Sequence, residues 1–254
     1  MEFASLTAEL ALFLFIIAVV AGFLDTLAGG GGLLTLPALL LTGMPPITAL
    51  ATNKLQSTVG TATATVMMLR NRRVCWQEIK SLMTVAFIGS VLGTLFVKFV
   101  NTQLLTLIIP VVVGGIGLYF LITPTPTANQ QNQSAKISSN HYQRFVVPVI
   151  GFYDGMLGPG TGSFYTLAGR MWRGQPFLKA TAIAKTLNFA TNFASLVVFL
   201  LLGELVWLVG LIMAFGQFIG AWLGAHWLFK IPVHYLRYLI VTMCFAMLVK
   251  WTFF

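Results

Sequence analysis

Charge is what this sequence has least of: Asp, Glu, Lys and Arg make up 8% of its 254 residues, against roughly 25% in ordinary soluble domains. A soluble chain of this length could bury a large core, but six acidic and fifteen basic residues cannot cover that core with charge. With 57% of residues hydrophobic, the apolar surface has to face lipid. Cysteine is nearly absent too. Cys75 and Cys244 are far apart and fit no CxxC or metal-ligand spacing, which excludes a disulfide framework and a thiolate metal site. There is no Ser/His/Asp constellation, and no glycine loop is followed by Gly-Lys-Ser/Thr. The chain therefore reads as a non-enzyme without a cofactor. No Lys or Arg precedes the first apolar run, Leu10 to Leu24, where Glu2 and Glu9 stand instead. That run reads as a retained helix, not as a cleaved signal peptide. The net charge of +9 then belongs to loops that orient spans, not to a surface for nucleic acid.

What the sequence does have is long apolar runs. Leu104 to Ile122 and Leu205 to Phe229 can each cross a hydrocarbon core of about 30 Å as a helix, and no alternating pattern points to a barrel. The chain also contains itself twice. GFLDTLAGGGG begins at Gly22 and GFYDGMLGPGTG begins at Gly151, 129 residues later. After a two-residue insertion the offset is 131, pairing Lys54 with Lys185, Trp76 with Trp207, and FIGSVLG (Phe87 to Gly93) with FIGAWLG (Phe218 to Gly224). Between the copies lies a stretch rich in Pro, Asn, Gln and Ser, Thr123 to Arg144, with no apolar period. The expected organisation is a first transmembrane repeat over residues 1–122, a cytoplasmic linker over 123–144 and a second repeat over 145–254.

Each copy divides into five segments. In the first these are Ala8–Ala28, the short Leu33–Leu41, Ile47–Leu69, Ser81–Val100 and Gln103–Ile122. In the second they are Phe145–Leu157, Ser163–Met171, Phe177–Leu202, Leu205–Phe229 and Tyr235–Phe253. An odd number makes the second copy enter the membrane from the opposite side, so the repeats should be inverted. Loop charge agrees: placing Arg70, Arg72, Arg73 and Lys80 in the cytoplasm puts Lys136, Arg144, Arg170, Arg173, Lys230 and Arg237 there as well. The predicted fold class is an all-α integral membrane protein of two inverted repeats, about five helical segments each, with short broken or re-entrant segments after the glycine-rich loops. Inverted repeats are a plan of secondary transporters, whose substrate sites lie between the repeats near the midplane.

Polar residues of the third segment fall on one helical face: Lys54, Ser57 and Thr61 in the first copy, and Lys185, Asn188, Asn192 and Ser195 in the second. Such a stripe must face protein or water, because lipid offers no hydrogen-bond partner. An unpaired lysine at the centre of a bilayer costs roughly 2.5–3.5 kcal/mol, so each lysine needs a partner. Asp25 and Asp154 recur at equivalent places. Either they pair with the lysines as braces, or the lysines attract an anionic substrate while the aspartates couple transport to protons; the second reading is preferred. GGGG (Gly29 to Gly32) and GPGTG (Gly158 to Gly162) each precede a segment too short to span comfortably. Half-helices starting near Gly32 and Gly162 would point free N–H groups at an anion. Expected substrate contacts are Lys54, Lys185, Asn53, Gln56, Ser57, Thr61, Asn188 and Asn192, with backbone from Gly31, Gly32, Gly160 and Gly162, and coupling at Asp25 and Asp154. The glycines four apart, Gly89 and Gly93 and then Gly216, Gly220 and Gly224, read as packing faces.

AGFLDTLAGGGGLLTLPALLLTGMPPITALATNKLQ, together with GFYDGMLGPGTGSFY and KATAIAKTLN, resembles the TauE/SafE family of bacterial membrane permeases, most closely its YfcA-type branch. The resemblance covers nearly the whole chain and implies transport, often export, of sulfite, sulfonates or related small sulfur-containing and organic anions across the bacterial inner membrane. Pro159 and Thr161 interrupt the second glycine run, where this chain departs from the first motif. The alternatives are an anion channel and a membrane accessory protein that transports nothing. Expected partners are a small anion, protons as coupling ion and the lipid bilayer, with no nucleic acid; the sequence leaves oligomeric state and transport direction open.

Overall fold

The computed structural model describes residues 7–122 and 138–227, and every regular element among them is helical. Helix α1, Ala8–Ala28, opens on Thr7, whose hydroxyl accepts from the Leu10 N–H at 3.3 Å, and closes on Gly29 in the left-handed conformation, φ 82°. A three-residue gap leads to the short α2, Gly32–Leu41. Helix α3, Pro46–Arg70, starts behind Pro45, and α4 and α5 follow as Trp76–Val97 and Thr102–Ile122. In the second half a brief α6, Ser139–His141, and a π-helical turn, Tyr142–Val146, lead into α7, Val147–Met156. After a second break come α8, Thr161–Arg173, α9, Phe177–Leu202, and α10, Trp207–Trp227. The expected span Tyr235–Phe253 and most of the linker lie outside the described residues.

Both short segments form where the glycine runs predict them. α4 begins five residues before its expected start, because Trp76 to Lys80 continue the helix beyond the apolar span. The third segments start alike: the prolines before α3 and α9, Pro45 and Pro176, have φ/ψ of −54/143° and −56/147°. Proline in extended geometry sets the turn into each helix and gives up no backbone donor there.

Among the described residues, four helices are long and apolar enough to cross a membrane: Ala8–Leu27, Trp76–Val97, Phe177–Leu202 and Trp207–Trp227. Their outward faces carry the exposed hydrophobics, such as Ile88, Leu92, Leu95 and Phe96 on α4 and Leu208, Leu211, Phe215 and Trp222 on α10. That spacing of three and four marks a lipid-facing stripe. α3 has 25 residues, enough length to span, yet it is rich in threonine and amide side chains. Its polar residues Thr52, Asn53, Lys54, Gln56 and Thr61 are buried in protein, where they find partners that lipid lacks.

Among the described helices, the most extensive packing joins the two halves, α1 against α10 and α4 against α7. Glycine makes both possible. A Cβ on Gly216 would lie 2.7 Å from the Phe15 carbonyl oxygen, one on Gly224 2.8 Å from that of Phe23, and one on Gly22 2.6 Å from that of Gln217. On the other pair, Gly89 and Gly93 face Pro148 and Phe152, while Gly151 and Gly155 face Ala86 and Ser90. These are backbone-to-backbone contacts of the small-xxx-small kind. They bring the two broken segments to the centre of the fold.

Candidate functional site

A helix that stops inside a protein leaves carbonyls without donors, and one that starts there leaves N–H groups without acceptors. Both breaks, α1 to α2 and α7 to α8, have this problem, and one ion pair answers it at each. Lys54 on α3 reaches the second break: its Nζ donates to the Asp154 carbonyl oxygen at 2.6 Å, to Asp154 Oδ1 at 2.9 Å and to Asn192 Oδ1 at 3.2 Å. Lys185 on α9 reaches the first break, donating to the Asp25 carbonyl oxygen, with Asp25 Oδ2 3.6 Å away. Both lysines thus sit at the negative ends of α1 and α7. The aspartates serve the opposite ends: Asp25 Oδ1 accepts from the Gly31 N–H at 3.2 Å, and Asp154 Oδ1 from the Thr161 hydroxyl at 2.9 Å. Lys54 and Lys185 are 1% and 0% exposed and Asp154 is 1% exposed. Asp154 Oδ2 is buried without a hydrogen-bond partner among the described residues.

The breaks also touch each other. Gly29 and Gly162 meet backbone to backbone, and a Cβ on Gly29 would come within 2.7 Å of Gly162 Cα. Gly158, φ 95°, passes so close to the second ion pair that a Cβ would lie 3.0 Å from Lys54 Nζ. Gly160 has φ 77° and begins α8. Gly31 is in ordinary helical geometry, φ −56°, so what demands glycine there is space: a Cβ would lie 2.7 Å from that of Asp25.

Between the breaks and the α3 and α9 stripes lies a small cavity, with about 20 Å³ open to the centre of a water molecule. That is room for about one water. Of the residues expected from sequence, Asp25, Gly31, Gly32, Asn53, Lys54, Ser57, Thr61, Gly160, Asn188 and Asn192 line it. Lys185, Gln56, Gly162 and Asp154 are absent from its wall. Gln56 stands behind it, donating to Asn53 Oδ1 at 2.7 Å and to the Ser57 hydroxyl at 3.3 Å. Thr35 also donates to Asn53 Oδ1, at 2.6 Å. The Asn53 oxygen is thereby occupied, while its NH2 group makes no hydrogen bond among the described residues. Asn188 repeats the pattern: its Oδ1 accepts from Asn192 Nδ2 at 3.2 Å and its NH2 group is unspent among the described residues.

Four lining residues fall outside the expected set: Gly29, Gly158, Thr161 and Gln217. The first three lie within or beside the glycine motifs. Gln217 carried one signal in the sequence, as the residue before FIGAWLG where the first copy has Ala86.

Residues 14–251 match the family described as "Sulfite exporter TauE/SafE". The chain belongs to this family. It is 41% identical over 242 residues to a "Probable membrane transporter protein" of Haemophilus influenzae, covering 95% of this chain and 94% of that protein. It is 40% identical over 237 residues to "Probable membrane transporter protein YfcA" of Escherichia coli K12, covering 93% and 87%. It is 39% identical over 238 residues to "Probable membrane transporter protein ORF9" of a Sinorhizobium species, covering 94% and 90%. No solved structure matches it. Family membership, the names of these relatives and the apolar helices support a TauE/SafE membrane transporter, in agreement with the resemblance read from the motifs.

Proposed function

We propose that this TauE/SafE protein is a secondary transporter, not an enzyme, of a small anion such as sulfite, a sulfonate or a related organic anion. Export across the bacterial inner membrane is the preferred direction. The two halves act as inverted repeats, with residues 123–144 as a cytoplasmic linker and the substrate held at the cavity between them. The observation that carries this reading is the lining: NH2 groups of Asn53 and Asn188 without acceptors among the described residues, beside the glycine breaks where α2 and α8 begin. Unspent donors suit a ligand that only accepts. Ser57, Thr61 and Asn192 add polar lining, and Gly31, Gly32 and Gly160 supply backbone. Lys54 and Lys185 supply positive charge once their partners are neutralised. A proton on Asp154, whose Oδ2 has no hydrogen-bond partner among the described residues, would leave Lys54 as an uncompensated cation for the anion; Asp25 plays the same part for Lys185. Gln56 holds Asn53 in register.

A cavity with room for about one water favours an alternating-access carrier caught closed over a channel with a standing pore. The test is thermal stability of the purified protein against sulfite, thiosulfate, methanesulfonate and acetate. A ligand at a hundred times its Kd should add about 2.7 kcal/mol to folding stability. No shift with any of them would remove the anion reading. In proteoliposomes a carrier should show saturable flux and exchange, and unsaturable conductance would favour the channel.

Topology has its own test. Cysteines introduced at Ser5 and Gln133, in a background without Cys75 and Cys244, should react differently with an impermeant thiol reagent on intact cells, Ser5 labelling and Gln133 not. The reverse pattern would overturn the orientation.

A further inference from the structure

Gln217 sits in α10 among apolar neighbours, is 2% exposed and lines the cavity, yet its side chain makes no hydrogen bond among the described residues. Burying an amide without partners is costly, so its persistence there calls for a partner in the cavity. Its surroundings are shaped to hold it. A Cβ on Gly60 would lie 2.5 Å from Gln217 Oε1, and one on Gly22 2.7 Å from the same atom. The amide oxygen therefore lies beside two glycines of α1 and α3, and the side chain forms part of the cavity wall. The internal repeat shows that this arrangement is not an automatic product of the fold. At an offset of 131, Gln217 corresponds to Ala86 and Gly60 to Thr191, so the repeat-equivalent pair has neither the amide nor the gap that admits it. Thr191 spends its carbonyl on the Ser90 hydroxyl instead, at 2.7 Å.

We infer that Gln217 is a substrate-contacting residue, a third amide donor that with Asn53 and Asn188 receives an oxyanion on the α1–α10 side of the cavity. The inference rests on the anion reading of the cavity and adds to it the contact residue.

The probes are methanesulfonate as monoanion and thiosulfate as dianion, titrated into the full-length protein in detergent with calorimetry and melting as readouts. Wild type should bind methanesulfonate. Q217A should melt like wild type without ligand and lose about tenfold or more in methanesulfonate affinity, as expected for a hydrogen bond to a charged group. Q217E, which puts a carboxylate at the same place, should bind neither probe. G60A should copy Q217A, since its methyl takes the space of the amide oxygen. Should Q217A fail to fold, Q217M keeps the volume without the donor and carries the same expectation. Wild-type affinity in folded Q217A or Q217M would overturn the assignment. No binding of either probe by wild type would defeat the assignment together with the anion reading beneath it.

Discussion

Lys54→Met should lower stability sharply, by about 3–5 kcal/mol, because it strands the Asp154 carboxylate in the protein interior. The expectation follows from the geometry: Lys54 and Asp154 are each 1% exposed and 2.9 Å apart, and the ammonium also holds the Asp154 carbonyl at the end of α7. Pairing it with Asp154→Asn should recover much of the loss, since contacting charged residues couple strongly in double-mutant cycles. Anion binding should not recover with it, because the double variant has neither the cation nor the carboxylate that frees the cation by taking a proton. Melting curves and probe titrations on wild type, both single variants and the double variant separate the two effects. Restored binding in a restored fold would make Lys54 a brace and nothing more. Lys185→Met with Asp25→Asn should behave in the same way, with a smaller stability change, because Asp25 is partly exposed and its Oδ2 lies farther from its lysine, at 3.6 Å.

Gly29→Ala should be far more damaging than Gly43→Ala, although both glycines have φ 82°. The left-handed conformation costs a residue with a side chain about 1–2 kcal/mol, and both variants incur that cost. A Cβ at Gly43 meets nothing within 4 Å, whereas one at Gly29 runs into the backbone of Gly162. The overlap should add about 1–3 kcal/mol or more, and it should also disturb the cavity, because Gly29 is part of its wall. Melting of the two variants side by side isolates the close approach from the strain. Equal shifts would mean that the breaks do not need to touch.

The fold was largely legible because lipid and backbone hydrogen bonding leave few choices. A run such as Leu205 to Phe229 has no stable alternative to a helix, and glycine runs before short apolar segments mark α2 and α8 to within two residues of their starts. The ends were less legible: α4 begins at Trp76, where apolarity has run out but helical propensity has not. At the cavity, residues on the polar stripe were visible because helical spacing alone puts Lys54, Ser57 and Thr61 on one face. Which aspartate served which lysine was not, because the partners are 100 and 160 residues apart and the crossing depends on tertiary packing. Gln217 showed only as a mismatch with Ala86 between the copies, for a related reason. It is a lone polar residue on an apolar helix, with no stripe around it, and its meaning comes from the glycine opposite it on α3.

The crossing of the ion pairs also bears on how the protein is made. A chain emerging from the ribosome delivers α1 to α5 to the bilayer before any part of α7, so Lys54 must wait for a carboxylate 100 residues downstream. Asp25 waits longer, 160 residues, for the ammonium of Lys185. The same delay holds the glycine face of α10 back from α1 until almost the whole described chain has been translated. Biogenesis therefore passes through a half-built intermediate with two unneutralised charges and two open glycine seams, a species that insertion factors must shelter and that membrane proteases can recognise whenever synthesis stalls.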